Sequence, residues 1–181
     1  QWGTASVFTT LVNAYYGASH LVLNADDTPA FATNISAASM FRDASSLVDN
    51  KDQIGNWDTS EFTSLSYMFR GATLFNEAIG SWNTTKVTDM GSTFLNASAF
   101  DQDIHNWNIS LVTTFNSMFQ NASSFTGNVN WTSPFRTDVD PIMATMFRGA
   151  VAFNGDLSNW DLNNASATTG TISIASMFRD A

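Results

Sequence analysis

The sequence predicts a repeat solenoid built from short parallel strands with a helical or 3₁₀ turn on each rung, and three observations support this. The blocks Phe75–Leu95 (FNEAIGSWNTTKVTDMGSTFL) and Phe100–Gln120 (FDQDIHNWNISLVTTFNSMFQ) repeat one another 25 residues apart. Trp57, Trp82 and Trp107 keep that spacing, as do Phe75, Phe100 and Phe125. The apolar letters recur on each copy: Phe75, Ile79, Trp82, Val87, Met90, Phe94 and Ala97 in one, and Phe100, Ile104, Trp107, Val112, Phe115, Phe119 and Ala122 in the next. A fixed period of about 20–50 residues marks an architecture whose units bury their apolar faces only against neighbouring units.

Residues 1–30 are expected to form an atypical first rung or cap. Val7, Phe8, Leu11, Val12, Tyr15 and Tyr16 recur at helical spacing, and Leu21–Leu23 follows as a strand. Residues 31–181 then hold about six repeats of 25–31 residues. Within them Ile79–Asn83 and Ile104–Asn108 are expected as strands, and Val87–Met90 and Val112–Phe115 as second strands or extended turns. Met118–Ala122 has the spacing of a helical turn. Longer copies carry extra residues at 45–53, 134–141 and 163–171, where insertions into surface loops are expected. The segment Gly127–Trp131 is one residue short, which predicts a local kink. The chain closes in mid-repeat on Met177-Phe178-Arg179-Asp180-Ala181, the counterpart of Met40-Phe41-Arg42-Asp43-Ala44. An uncovered Met177-Phe178 end is expected to be covered by further chain or by another copy.

Composition narrows the function classes. At 181 residues and 44% hydrophobic, the chain is long enough to bury a core. A net charge of −9 with seven Lys and Arg leaves no basic surface for a phosphate backbone, so nucleic acid is not an expected partner. No apolar run approaches the roughly 18 residues of a membrane-spanning helix. With no Cys, disulfide, thiolate and zinc-thiolate chemistry are excluded.

WDTSEFTSLSYMFRGATLFN (Trp57–Asn76) and WNTTKVTDMGSTFLNASAFDQDIHNW (Trp82–Trp107) resemble the roughly 25-residue surface-protein repeat of Mycoplasma-type lipoproteins and BspA-like surface proteins. The resemblance spans Phe31–Ala181. It implies a curved, parallel-strand solenoid of the leucine-rich-repeat class at a cell surface, used in adhesion or recognition. It carries no catalytic residue to transfer. The Asp that follows Trp in the repeat is kept at Asp58 and Asp161 but is Asn at Asn83 and Asn108.

That exchange creates Asn-x-Ser/Thr sequons. They occur at Asn34, Asn83, Asn96, Asn108, Asn121, Asn130 and Asn164, with Asn83/Asn108 and Asn96/Asn121 each one period apart. The functional reading is N-glycosylation at most of Asn83, Asn96, Asn108 and Asn121; the plain one is that Asn and Ser are common turn residues. Asp58, Glu77, Asp89, Asp101, Asp103 and Asp161 invite an acid/base or calcium reading, but no calcium-loop pattern is present and a solvated face is the simpler account. His20 and His105 stand alone, without a partner at ligand or triad spacing. Arg42, Arg70, Arg148 and Arg179 recur as a stripe expected to neutralise nearby Asp. The Trp57, Trp82, Trp107, Trp131, Trp160 ladder is expected in the core, because exposing rings of this size would forfeit it.

The expected protein is therefore non-enzymatic, with no cofactor or metal. It is a secreted or cell-surface glycoprotein of a eukaryotic microbe, acting in adhesion, recognition or extracellular assembly with surface proteins, matrix proteins or glycans. The alternatives are a filament subunit stacked head to tail and, behind it, a polysaccharide-active enzyme.

Overall fold

The computed structural model describes residues 7–136, 138–162 and 173–181. The insertion expected at 163–171 lies outside them. Over the described residues the chain winds into stacked rungs, each hydrogen-bonded to its neighbours in parallel. Six short strands are formed: β1 (Val7–Phe8), β2 (Val22–Leu23), β3 (Ala30–Phe31), β4 (Ile35–Ser36), β5 (Val48–Asp49) and β6 (Phe62–Ser64). β1 pairs with β3, β2 with β5 and β4 with β6, all in parallel. From β6 the pairing continues as single parallel bridges through Ser64, Asp89, Thr114, Ile142 and Ser173.

The pairing therefore passes through the Val87–Met90 and Val112–Phe115 segments. Ile79–Asn83 and Ile104–Asn108, expected as strands, are β-turns instead: the Trp82 amide donates to the Ile79 carbonyl at 3.1 Å, and the Trp107 amide to the Ile104 carbonyl at 3.0 Å. In a strand, residues i and i+3 point to opposite faces. The turn lets both Ile79 and Trp82 bury. Where the repeat is one residue short, the Trp131 amide bonds instead to the Val129 carbonyl at 2.8 Å, a three-residue turn that absorbs the deletion.

The Met-Phe-x-x-Ala segments are not helical either. In the fifth rung the amides of Met118, Gln120 and Ala122 close turns onto the carbonyls of Phe115, Ser117 and Phe119. The amides between them, of Ser117, Phe119 and Asn121, donate to Ala144, Met146 and Arg148 on the next rung at 3.0, 2.8 and 2.8 Å. Alternate N–H groups thus serve the local turn and the neighbouring rung. A helix would direct all of them along itself. The first and last of these three turns need a left-handed residue at their third position, and two columns four residues apart supply it. Asn13, Ser39, Tyr67, Ser92, Ser117, Thr145 and Ser176 have φ of 54–59°; Gly17, Asp43, Gly71, Asn96, Asn121, Gly149 and Asp180 have φ of 57–70°.

These columns also correct the reading of the first rung. Val7–Phe8 is a strand, and Asn13 and Gly17 carry the same positive φ as their counterparts, so residues 11–17 form a tandem turn rather than a helix. The Tyr15 and Gly17 amides donate to Met40 and Arg42 at 2.8 Å each, as on later rungs. Among the described residues the one helical element is the 3₁₀ turn Ile54–Asn56. The buried Asp49 carboxylate accepts the Gln53 and Ile54 amides that open it, at 2.6 Å each.

Aromatic rings fill the interior in columns. Phe41, Phe69, Phe94, Phe119, Phe147 and Phe178 stack with centroids 5.4–5.7 Å apart. Phe75, Phe100, Phe125 and Phe153 form a second column, which meets the first at 3.8–4.2 Å. The tryptophan ladder packs beside them: Trp57, Trp82, Trp107 and Trp131 are buried and Trp160 is half-buried. Each indole N–H from Trp82 onward donates to the aliphatic carbonyl one rung back, at Ile54, Ile79, Ile104 and Val129, over 2.9–3.0 Å.

The left-handed columns make a test that side-chain contacts do not confound. Asn121→Ala and Asn121→Gly both delete the same amide side chain, so their difference reports backbone conformation. Urea denaturation should place the Gly variant about 1 kcal/mol above the Ala variant, since a Cβ is disfavoured at φ near +58°.

Candidate functional site

The position after Trp is the first of two surface features that could carry function. At Asp58 the Oδ1 atom accepts the Ser60 amide at 3.1 Å, closing an Asx turn. Hydrogen bonding from Ser60 lowers the Asp58 pKa. Asn83 and Asn108 keep the same turn with their own Oδ1: Asn83 accepts the Thr85 amide at 3.1 Å and hydroxyl at 2.7 Å, and Asn108 accepts the Ser110 amide at 3.0 Å and hydroxyl at 2.7 Å. The turn consumes Oδ1 alone. The amide nitrogen that replaces the second carboxylate oxygen is left over on an exposed (Asn83) or half-buried (Asn108) side chain.

The other sequons differ in how far their amides are committed. The Asn121 amide donates to Asn96 Oδ1 on the preceding rung at 2.9 Å, so the two side chains form a pair on the left-handed column. Asn130 is engaged on every side: its amide lies 3.0 Å from Asp156 and 3.3 Å from the Ser158 hydroxyl, and its Oδ1 accepts the Asn159 amide at 2.8 Å. Asn34 is exposed, with φ of 52° and its backbone amide on Glu61. Asn164 lies outside the described residues.

The carboxylates read as candidate acids or bases hold backbone in place. Asp101 Oδ1 accepts the Thr126 amide and hydroxyl at 2.6 and 2.8 Å, and Asp103 Oδ1 accepts the Asn128 amide at 2.7 Å, both one rung on. They edge an open hollow together with Ala78, Gly80, Ser81 and Gln102. Asp89 accepts the Gly91 amide at 2.8 Å. Asp161 is exposed and away from these groups in sequence. Among the described residues no group of three or more His, Asp and Glu could hold a metal ion. His20 is exposed, with its Nδ1 3.0 Å from the Ser19 hydroxyl, and His105 is half-buried on the turn before Trp107.

The second feature is a cluster on the tandem-turn face that spacing alone did not single out. The Arg42 guanidinium lies over the Tyr16 ring at 5.1 Å and the Tyr67 ring at 5.5 Å, and Arg70 lies 5.8 Å from the Tyr67 ring. Arg148 and Arg179 both approach Asp180, at 3.9 and 3.6 Å, as the expected neutralisation requires. Arg42 is 3.5 Å from Asp43. The sequence did hold a signal, because Tyr67 occupies a column position otherwise filled by Asn, Ser and Thr.

The family described as "Mycoplasma protein of unknown function, DUF285" matches residues 33–140 and 132–181. The chain belongs to this family. Its repeats span all the rungs from the second onward and include both surface features, apart from Tyr16 of the first rung. No curated protein and no solved structure matches the sequence. Among the described residues no helix is long and apolar enough to cross a membrane.

Two glutamates differ in how they respond to pH. Glu61 is held below its ordinary value by the Lys86 ammonium, at 2.7 Å, and by the Asn34 amide. Its ionised form supports the fold above the ordinary carboxylate range, and the support is lost as pH falls through the lowered value. Glu77 is raised, first by burial and then by repulsion from Asp49 and Asp52. Its ionisation therefore subtracts stability, fully above the raised value and not at all below its unfolded pKa of about 4.3. Glu77→Gln keeps an oxygen for the Asp49 amide, which now donates to Glu77 at 3.2 Å. Thermal melts should show a higher Tm for this variant at pH 7 and no difference below about pH 4.

Proposed function

We propose that the chain is a non-catalytic segment of a leucine-rich-repeat-like solenoid, secreted or displayed at a cell surface, that acts in adhesion, recognition or extracellular assembly. The observation that carries this reading is the division of labour along each rung. Recurring residues are consumed by the aromatic columns and the inter-rung amide ladder, while the candidate carboxylates cap backbone amides: Asp101 and Asp103, which share the rim of one open hollow, each spend an oxygen on the next rung. What remains for function is an extended surface. The family supports the address, since BspA-like surface proteins carry this repeat. The partners this surface would meet are other surface or matrix proteins or glycans.

Asn83 and Asn108 are the positions best arranged for N-glycosylation, because modification of their amide nitrogens leaves the Asx turns intact. A glycan on Asn121 would remove its bond to Asn96, and one on Asn130 would break the link to Asp156. N-glycans of this kind fit a eukaryotic secretory route; the family description names Mycoplasma and lends that part no support.

Both parts have direct readouts. Membrane-impermeant biotinylation of intact source cells should label the protein, and labelling only after lysis overturns the surface reading. After secretion from a eukaryotic host, peptide mass spectrometry should find Asn83 and Asn108 occupied and Asn130 bare. Unmodified Asn at 83, 96, 108 and 121 together overturns the glycoprotein reading.

A further inference from the structure

Arg42 and Arg70 occupy the same position on adjacent rungs, where the strand spacing is about 4.8 Å. Two guanidiniums so placed repel, and the chain holds only seven Lys and Arg against sixteen Asp and Glu with which to separate them. The Arg148 and Arg179 pair does have an intervening carboxylate, Asp180, close to both. Arg42 has Asp43 at its Nε side, 3.5 Å away, and among the described residues no carboxylate lies within ion-pair distance of Arg70.

Tyr67 is anomalous at the same place. It is the bulky member of a left-handed column whose other residues are Asn, Ser and Thr, and a bulky side chain at φ 58° is a conformational outlier. The ring is not buried in return, being 37% exposed, and Tyr16 is 52% exposed. Its position instead places it over both guanidiniums. Contact with both the Tyr16 and Tyr67 rings restrains Arg42, whose guanidinium carries its donors as a planar fork. The Nε atoms of Arg42 and Arg70 are buried without a hydrogen-bond partner, and the one polar contact at either is the 3.5 Å ion pair of Arg42 with Asp43.

We propose that Tyr16, Arg42, Tyr67 and Arg70 form a docking surface for a carboxylate-bearing polysaccharide. Guanidinium edges recognise carboxylates through paired, charge-assisted hydrogen bonds. The exposed phenol rings offer flat apolar area with a polar rim, suited to the C–H face of a pyranose ring. The group spans three successive rungs with both rings partly exposed, an extended arrangement that fits a polymer bound at successive sugars. This deepens the surface-recognition reading and rests on it only for the ligand being extracellular; localisation is tested separately by the biotinylation above.

The experiment is calorimetric titration of the 181-residue chain with hexagalacturonate, alongside neutral cellohexaose and a poly-glutamate peptide of similar charge. Saturable binding to hexagalacturonate, weakened by added salt, is expected, with at least tenfold weaker binding to the other two. Tyr67→Ser places the residue of Ser39, Ser92 and Ser117 at this position, so the fold should persist by circular dichroism while affinity falls at least tenfold. Arg42→Lys keeps the charge and loses the planar fork, and should weaken binding by a similar factor; Arg148→Gln, four rungs away, should not. The proposal is overturned by absence of saturable binding, by affinity unchanged in both Tyr67→Ser and Arg42→Lys, or by equal binding of the glutamate peptide, which would assign the surface to an acidic protein partner.

Discussion

Among the described residues, the recurring positions of each inner rung lie above and below their own counterparts, and that constraint governs which residues can recur. A side chain is acceptable in a column only if it tolerates a near-copy about 5 Å away. Aromatic rings do so by stacking, with centroids 5.3–6.4 Å apart in the Phe and Trp columns. Backbone amides do so by alternating between the local turn and the next rung. Asn can do so by bonding to Asn, as at Asn96 and Asn121. The core is thus less a set of separate contacts than one contact repeated.

Charges tolerate the arrangement worst, because like charges stacked at this spacing repel. The chain is only 13% charged, against about 25% in ordinary soluble domains. Its carboxylates are spaced out: Asp101 sits between Asn76 and Thr126, Asp89 between Ser64 and Thr114. Glu61 is matched with Lys86 one rung on. Where the rule is broken the consequences are visible. Glu77 is driven toward its neutral form by burial first and then by Asp49 and Asp52, and Arg42 beside Arg70 is held by tyrosine rings at the expense of a strained Tyr67 backbone.

The stacking itself was legible in the sequence, because a 25-residue period in Trp and Phe has few other physical meanings. The local conformation was not. Met118, Phe119 and Ala122 have helical spacing, but a tandem turn with left-handed residues at Ser117 and Asn121 buries the same three side chains. Spacing reports which residues point inward and not which backbone delivers them. The decisive signal lay in the Gly17, Asp43, Gly71, Asn96, Asn121, Gly149, Asp180 column, whose letters are those that accept a positive φ. Ile79 and Trp82 were misplaced on a strand for a related reason: three residues apart, they can share a face on a turn but not on a strand. At the surface, the sequons were readable as motifs, whereas only hydrogen bonding separated Asn83 and Asn108 from Asn130. The Tyr16–Arg42–Tyr67 contact joins residues on three rungs and could not be read from any one of them.

The same constraint explains how such a protein can gain surface chemistry without losing its fold. The Asx turn after Trp uses a single side-chain oxygen, so Asp58 can become Asn83 or Asn108 with the turn unchanged and an amide nitrogen added outside it. The outward positions of the tandem turn are equally undemanding, since their structural duty is a backbone angle that Ser, Asn or Gly can meet. A departure there that costs strain, as Tyr67 does, is unexplained by stacking. Information about partners should therefore be sought where a column breaks its own pattern, and on this chain the break falls on the face that joins Tyr67 to two arginines.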